Sequence, residues 1–237
     1  VQDLMDKLNI FGYHFASLDI RQDSSIHNDV FKRIIDFKYG KDFTKKYYEM
    51  SEDDKIEFIS NSNFESQNDK FSDVNVLNTL GSIDAMRTIQ KSNGEKGCHR
   101  YIISHNETAL NIFEVFYMFK ISGWVNPLVD IVPLFETIED LNISVSVMEK
   151  VYRNKLYKNH LKSRGSEQII MLGFSDGTKD GGYFTANWEI LKAKENLTKL
   201  SLKYGIKVKF FDGRGGPPAR GGGNTHQFYS SLSGVLD

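Results

Sequence analysis

The sequence predicts a helix-rich α/β fold built on a parallel sheet, on three observations. Short apolar runs alternate with longer helical stretches. Each run closes in a polar cluster, and the chain between runs is long enough for a helical crossover between parallel strands. With 237 residues, 40% of them hydrophobic and 13% aromatic, the chain can bury a substantial core.

Five runs read as buried strands: YHFASLDI (13–20), RYIIS (100–104), DIVPLFE (130–136), QIIMLGF (168–174) and KVKFF (207–211). Helices are expected at 24–39, at 51–60 behind Ser51 as cap, at 73–92 ended by Gly94, at 107–121, at 139–161 and at 184–204. In the last of these Ala186, Ile190, Ala193, Leu197, Leu200 and Tyr204 form an apolar stripe, with lysines expected on the other face and Gly205 as the stop. Residues 61–72, NSNFESQNDKFS, read as a polar loop. The polar clusters DIRQD, SHNE, FET, FSDGTKD and FDGRGG follow the apolar runs, as in barrels whose active site is built from the loops after the strands. Such a barrel closes with eight strands. Five therefore point to part of a TIM-like (β/α) barrel with extra helices spanning 1–237, with an open doubly wound sheet as the alternative.

Charge and cysteine content narrow the partners. Thirty Lys and Arg against 31 Asp and Glu leave a formal charge of −1, which gives no basic field for nucleic acid. The lone cysteine, Cys98, forms no internal disulfide, and a reducing cytoplasmic setting is expected. No apolar run is long enough to span a bilayer, so no membrane partner is expected.

Three groups of residues could carry chemistry. Glu136 and Asp176 follow two expected strands and could share Mg²⁺ or Mn²⁺, or could be solvated carboxylates and helix caps. Arg21, Arg214 and Arg220 present planar donor forks suited to phosphate or carboxylate, and Arg21 could equally pair with Asp19 or Asp23. Lys179 lies in GFSDGTKDGGYF, a strand-to-helix turn of the kind that binds anions or simply caps a helix. The six histidines show no dyad or metal spacing and read as structural or solvated. The segment FFDGRGGPPARGGGNTH (210–226), with six glycines, reads either as a disordered RNA-binding tail or as an ordered anion-binding loop.

Taken together, these stretches resemble phosphoenolpyruvate carboxylases. LDIRQDSSIH is similar to that family's LDIRQES-x-x-H, VPLFETIEDL to PLFET-x-x-DL, and MLGFSDGTKDGGYFTANW to G-Y-S-D-S-x-K-D-A-G. FFDGRGGPPARGGGNTH is similar to F-H-G-R-G-G-x-x-G-R-G-G-x-P-x-H, and the four motifs stand in the family's order across nearly the whole chain. The resemblance implies a modified eight-stranded barrel and a lyase that joins phosphoenolpyruvate to bicarbonate, giving oxaloacetate and phosphate and so replenishing the tricarboxylic acid cycle. It implies Glu136 and Asp176 as metal ligands for Mg²⁺ or Mn²⁺, and Arg21 and Arg214 as phosphate-binding groups. Lys179 and Arg220 would then lie near bicarbonate and carboxyphosphate, with Gly215 and Gly216 in the substrate-binding loop. It also implies a homotetramer.

Two departures stand out. Asp212 occupies the place of the family's usual histidine, and Pro217, Pro218 and Ala219 make the loop's centre stiffer. The family's upstream T-A-H-P-T-E segment and its downstream arginines have no counterpart here, so these residues are expected to be part of a longer chain and inactive alone. The alternative reading is a barrel relative without catalysis, acting as an anion-binding or scaffold protein.

Overall fold

The computed structural model describes residues 1–12, 14–62 and 71–213. The expected loop at 61–72 falls largely outside them, as do Arg214, Gly215, Gly216 and Arg220. The fold is α/β and helix-rich. Five strands, β1 (Asp19–Asp23), β2 (Arg100–Ser104), β3 (Asp130–Phe135), β4 (Glu167–Gly173) and β5 (Lys207–Gly213), form one parallel sheet in the order β1-β2-β3-β4-β5. The helices are α1 (Gln2–Phe11), α2 (Ser24–Tyr39), α3 (Lys41–Glu49), α4 (Glu52–Asn61), α5 (Val74–Asn93), α6 (Ala109–Ile121), α7 (Ile138–Arg153), α8 (Lys155–Ser163) and α9 (Ser175–Lys203). None of the described helices is long and apolar enough to cross a membrane. The chain divides into two compact units, one made of Val1–Ile103 with Ala109–Ile131 and the other of Ser104–Thr108 with the chain from Val132 on.

The first strand departs from expectation. Strand geometry begins at Asp19, later than expected, because the apolar side chains just before it are not buried: Phe15 has φ +63° and both Phe15 and Leu18 are exposed. Ser17 Oγ donates to the Lys96 carbonyl, and the Leu18 N–H to that of Gly97 at 2.9 Å. Arg21, one residue past the run expected at 13–20, therefore sits in the middle of β1. Its neighbour Gln22 accepts from Tyr101 Oη at 3.0 Å and donates to Thr79 Oγ1 at 3.2 Å, so side-chain bonds stand where apolar burial was expected.

Helix ends follow local chemistry. Asp23 caps α2 through the Ser25 N–H, Ser51 caps α4 through that of Asp54, and Asp73 caps α5. Gly94, at φ +85°, ends α5 where a side chain would be strained. The single helix expected at 139–161 is two, because Asn154 leaves helical geometry and its Oδ1 caps α8 through Leu156 and Tyr157. The span α9 holds two helices that meet at Gly182, whose φ of +80° is not helical; the second is the helix expected from 184, and the first, from Ser175, was not expected.

The first unit packs α2 to α6 around interlocked rings. Phe31 meets Tyr47 at 5.6 Å and Tyr117 at 5.1 Å, and Tyr47 meets Phe58 at 5.6 Å. Two of the buried titratable groups in this unit bear on its stability near neutral pH. Glu114 on α6, 1% exposed, faces the Asn28 amide of α2, and burial pushes its carboxyl up to about 8 against the pull of Lys55. His27 on α2 is fully buried, 2.9 Å from Tyr101 Oη, and burial lowers its imidazole to about 4 despite Asp23.

The two groups tilt stability in opposite directions. A raised carboxyl binds its proton more tightly when folded, so the Glu114 contribution falls as pH rises from about 4.5 through about 8. A lowered imidazole loses stability as pH falls from 6.5 through about 4. We expect Glu114→Gln to gain stability over the parent as pH rises from 5 to 9, by on the order of a few kcal/mol. Urea unfolding at several pH values measures it, and a difference that stays constant with pH contradicts the assignment.

Candidate functional site

In the second unit, β4 pairs with β3 on one side and with β5 on the other, both parallel. Phe135 stands opposite Leu172, Leu172 opposite Asp212, and Gly173 opposite Gly213. The ends of three neighbouring strands are thereby set in register, and the residues that follow β3 and β4 emerge side by side.

Glu136 is the residue after β3. Its backbone N–H and that of Thr137 donate to Asp140 Oδ2 at 3.2 and 3.0 Å, and the Asp140 N–H donates to Thr137 Oγ1 at 3.0 Å. This reciprocal cap starts α7 and fixes the turn that carries Glu136. The Glu136 carboxylate is oriented in turn by the His105 N–H, which donates to Oε2 at 2.9 Å. His105 follows β2 with φ +53°, a conformation that aims its amide at the carboxylate, and the Asn106 N–H donates to the Leu134 carbonyl at 3.1 Å.

Gly173 explains how Glu136 can come so close to β4. A methyl group at Gly173 would stand 2.9 Å from the Glu136 Cα and 3.2 Å from its Cβ and Cγ. One at Gly177, in the first turn of α9, would lie 3.5 Å from the Glu136 carbonyl oxygen. Asp176 is next to Gly177 in that turn, where its carboxylate accepts from Lys179 Nζ at 2.9 Å. Both partners are exposed, at 49% and 75%, and the bonded carboxylate holds the Lys179 ammonium above its ordinary value.

An open cleft of about 660 Å³ runs past this turn, lined by His105, Glu107, Thr137, Asp176, Lys179 and Asp180 among others. Glu139 and Asp140 add to its acidic wall. Such a wall favours a cation, and an anion would need added positive charge to settle there. Among the described residues no three His, Cys, Asp or Glu side chains gather as a metal-binding group. An ion held by Glu136 and Asp176 would complete its shell from substrate and water, as Mg²⁺ commonly does.

The structure thus brings Glu136, Asp176 and Lys179 to the carboxyl ends of β3 and β4. Arg21 belongs to the other unit; there Asp19 pairs with Arg100 at 3.3 Å and Asp23 caps α2, the two acids expected as its partners. Arg214, Gly215, Gly216 and Arg220 lie outside the described residues. Sequence reasoning missed the His105 amide and Gly173. The first works through backbone, which carries no residue signature, whereas a glycine ending an apolar strand before a polar turn was a usable signal for the second.

Asp212 takes a place the sequence did not indicate. Its Oδ1 and Oδ2 lie 2.7 and 2.9 Å from Lys194 Nζ. Lys194 was expected among the lysines on the outer face of α9; it is 5% exposed and turns inward to Asp212 on β5.

Gly173→Ala tests the close approach. The added methyl meets backbone, so we expect a loss of about 1–3 kcal/mol in unfolding free energy. Gly165→Ala, where the new methyl meets nothing within 4 Å but φ is +74°, is the control for backbone strain without crowding. Equal stability of Gly173→Ala and the parent contradicts the packing described.

Comparison with known proteins agrees with these motifs. The model of the family "Phosphoenolpyruvate carboxylase" matches residues 1–232. The chain is 35% identical over 250 residues to the phosphoenolpyruvate carboxylase of Prochlorococcus marinus (strain MIT 9215), a match that takes in 100% of this chain and 25% of that protein. It is 36% identical over 242 residues to that of Nitrosomonas europaea, covering 96% of this chain and 25% of the relative. The Gloeobacter violaceus enzyme is 31% identical over 244 residues, again with 96% and 25% covered. The chain spans about a quarter of the length of the curated relatives it matches. On its motifs, its strand ends and these matches, the chain belongs to the phosphoenolpyruvate carboxylase family.

Proposed function

We infer that the protein containing this chain carboxylates phosphoenolpyruvate with bicarbonate, and that this chain supplies part of the barrel and one side of the active site. The observation that carries the reading is the register of β3 on β4, Phe135 opposite Leu172, from which the turns bearing Glu136 and Asp176 follow in a chain whose relatives bear that name. The strand order β1-β2-β3-β4-β5 supports a barrel segment, since a doubly wound sheet reverses its order at a switch point.

The charge balance fits the chemistry. A bicarbonate oxygen attacks phosphorus, the bond from phosphorus to the enol oxygen breaks, and carboxyphosphate and the enolate of pyruvate form. Carboxyphosphate then splits to CO₂ and phosphate, which keeps the bicarbonate proton, and the enolate methylene carbon attacks CO₂ to give oxaloacetate. Several negative charges share one pocket whose described wall is already acidic. Positive charge must balance it, and Lys179 in that wall together with Arg21, Arg214 and Arg220 are the candidates to bind and orient the phosphoryl and carboxylate oxygens. Glu136 and Asp176, both hard oxygen donors, would hold Mg²⁺ or Mn²⁺, which when bound supplies charge neutralisation at the substrate oxygens. Gly215 and Gly216 would let backbone N–H groups approach an oxyanion. Water must be excluded, because it would hydrolyse carboxyphosphate and a proton would quench the enolate. A homotetramer in the cytoplasm, feeding the tricarboxylic acid cycle, completes the reading.

The rival reading, an anion-binding relative without catalysis, rests on the acid at position 212 and on the family segments without a counterpart in these residues. That acid is paired with Lys194, so it adds no uncompensated negative charge.

Bicarbonate-dependent phosphate release from phosphoenolpyruvate by the full-length protein, with Mg²⁺ present, tests the proposal. We expect turnover, and a fall of about a hundredfold or more in Arg214→Ala. Binding of phosphoenolpyruvate without any turnover would establish the rival reading instead.

A further inference from the structure

We propose that the largely buried Lys194–Asp212 ion pair is a positioning device for the end of β5: it fixes Gly213 against β4, and with it the point from which Arg214 continues. The importance given to Arg214 rests on the carboxylase reading, whereas the holding of the strand end does not.

The pair is shielded from water, with side-chain exposures of 7% for Lys194 and 15% for Asp212, and the ammonium reaches both carboxylate oxygens, at 2.7 and 2.9 Å. Lys194 Nζ also stands 5.8 Å from the Phe210 ring centroid, so one side chain of α9 grips two alternate residues of β5. Among the described residues it is the one buried lysine. Burying two opposite charges stabilises little beyond what apolar residues of similar volume would give, because desolvation offsets the attraction. What the pair does impose is a defined distance and direction between helix and strand.

That definition matters at this end of the sheet because the strands approach one another too closely there for a side chain to fit between them. A methyl group at Gly213 would stand 3.0 Å from the Leu172 carbonyl and 3.0 Å from Met171 Cε. Gly213 lies opposite Gly173, where an added methyl would meet the backbone of Glu136. In this proposal the seven-residue pairing of β5 with β4 is what links the end of β5 to the strand beside the Glu136 turn. Neither Lys194 nor Asp212 lines the cleft beside Asp176, so they act through the strand end they hold.

The test uses the full-length protein with both charges replaced together, Lys194→Met with Asp212→Leu, so that no lone buried charge remains to unfold it. Hydrogen exchange and steady-state kinetics are measured on this variant and the parent. We expect amide exchange at 210–213 to rise about tenfold or more while β3 keeps its protection. We also expect kcat to fall by about tenfold or more, with KM for phosphoenolpyruvate changing less than about threefold, as displacement of an orienting group would cause. Unchanged exchange at 210–213 overturns the proposal, and so does a uniform rise across β3, β4 and β5, which would make the pair general support. Faster exchange at 210–213 with kcat and KM both unchanged overturns its link to the reaction. A parent protein without turnover would sink the carboxylase reading separately, while the exchange comparison still decides whether the pair holds the strand end.

Discussion

The geometry of the candidate site depends on one steric constraint, the contact between Gly173 and Glu136. With no side chain at 173, the residue after β3 can rest on the end of β4, its Cα only 2.9 Å from where a methyl carbon would be. Each further feature builds on that contact. The Thr137–Asp140 cap holds the turn from one side, the His105 amide holds the carboxylate from another, and Gly177 lets the first turn of α9 settle on the Glu136 carbonyl. Asp176 is carried to its position by that same turn.

Local bonds then set what this corner can do. Asp176 is engaged by Lys179, a neighbour three residues along the helix, so a cation approaching the carboxylate competes with an exposed ammonium. Exposed pairs of this kind are weak, and such competition is easily won by a divalent ion. Lys194 and Asp212 differ in kind, being largely buried and mutually neutralising, and they serve geometry more than stability.

Much of this was legible in the sequence. β2, β3 and β4 announce themselves as apolar runs ending in polar clusters, and the caps Ser51 and Gly94 stand where composition puts them. β1 was misplaced because Asp-Ile-Arg-Gln-Asp is polar and is held by Gln22's bonds to Tyr101 and Thr79, partners about 57 to 79 residues away that no local pattern reveals. The break at Asn154 was hidden by apolar periodicity running through it, although an Asn cap was present to be read. Lys194 was assigned to the outer face because lysine usually lies there, and only its pairing with a distant aspartate turns it inward. Of the proposed site residues, Glu136, Asp176 and Lys179 stand out in the sequence through their motifs, whereas the backbone amide of His105 left no trace in residue identity.

The central claim is that Glu136 and Asp176 share one divalent cation. A crystal of the full-length protein soaked in Mn²⁺ and measured at the manganese absorption edge tests it most directly. The account predicts an anomalous peak bonded to one oxygen of each carboxylate, at about 2 Å from both. A peak elsewhere, or carboxylates turned apart with no ion between them, would contradict it.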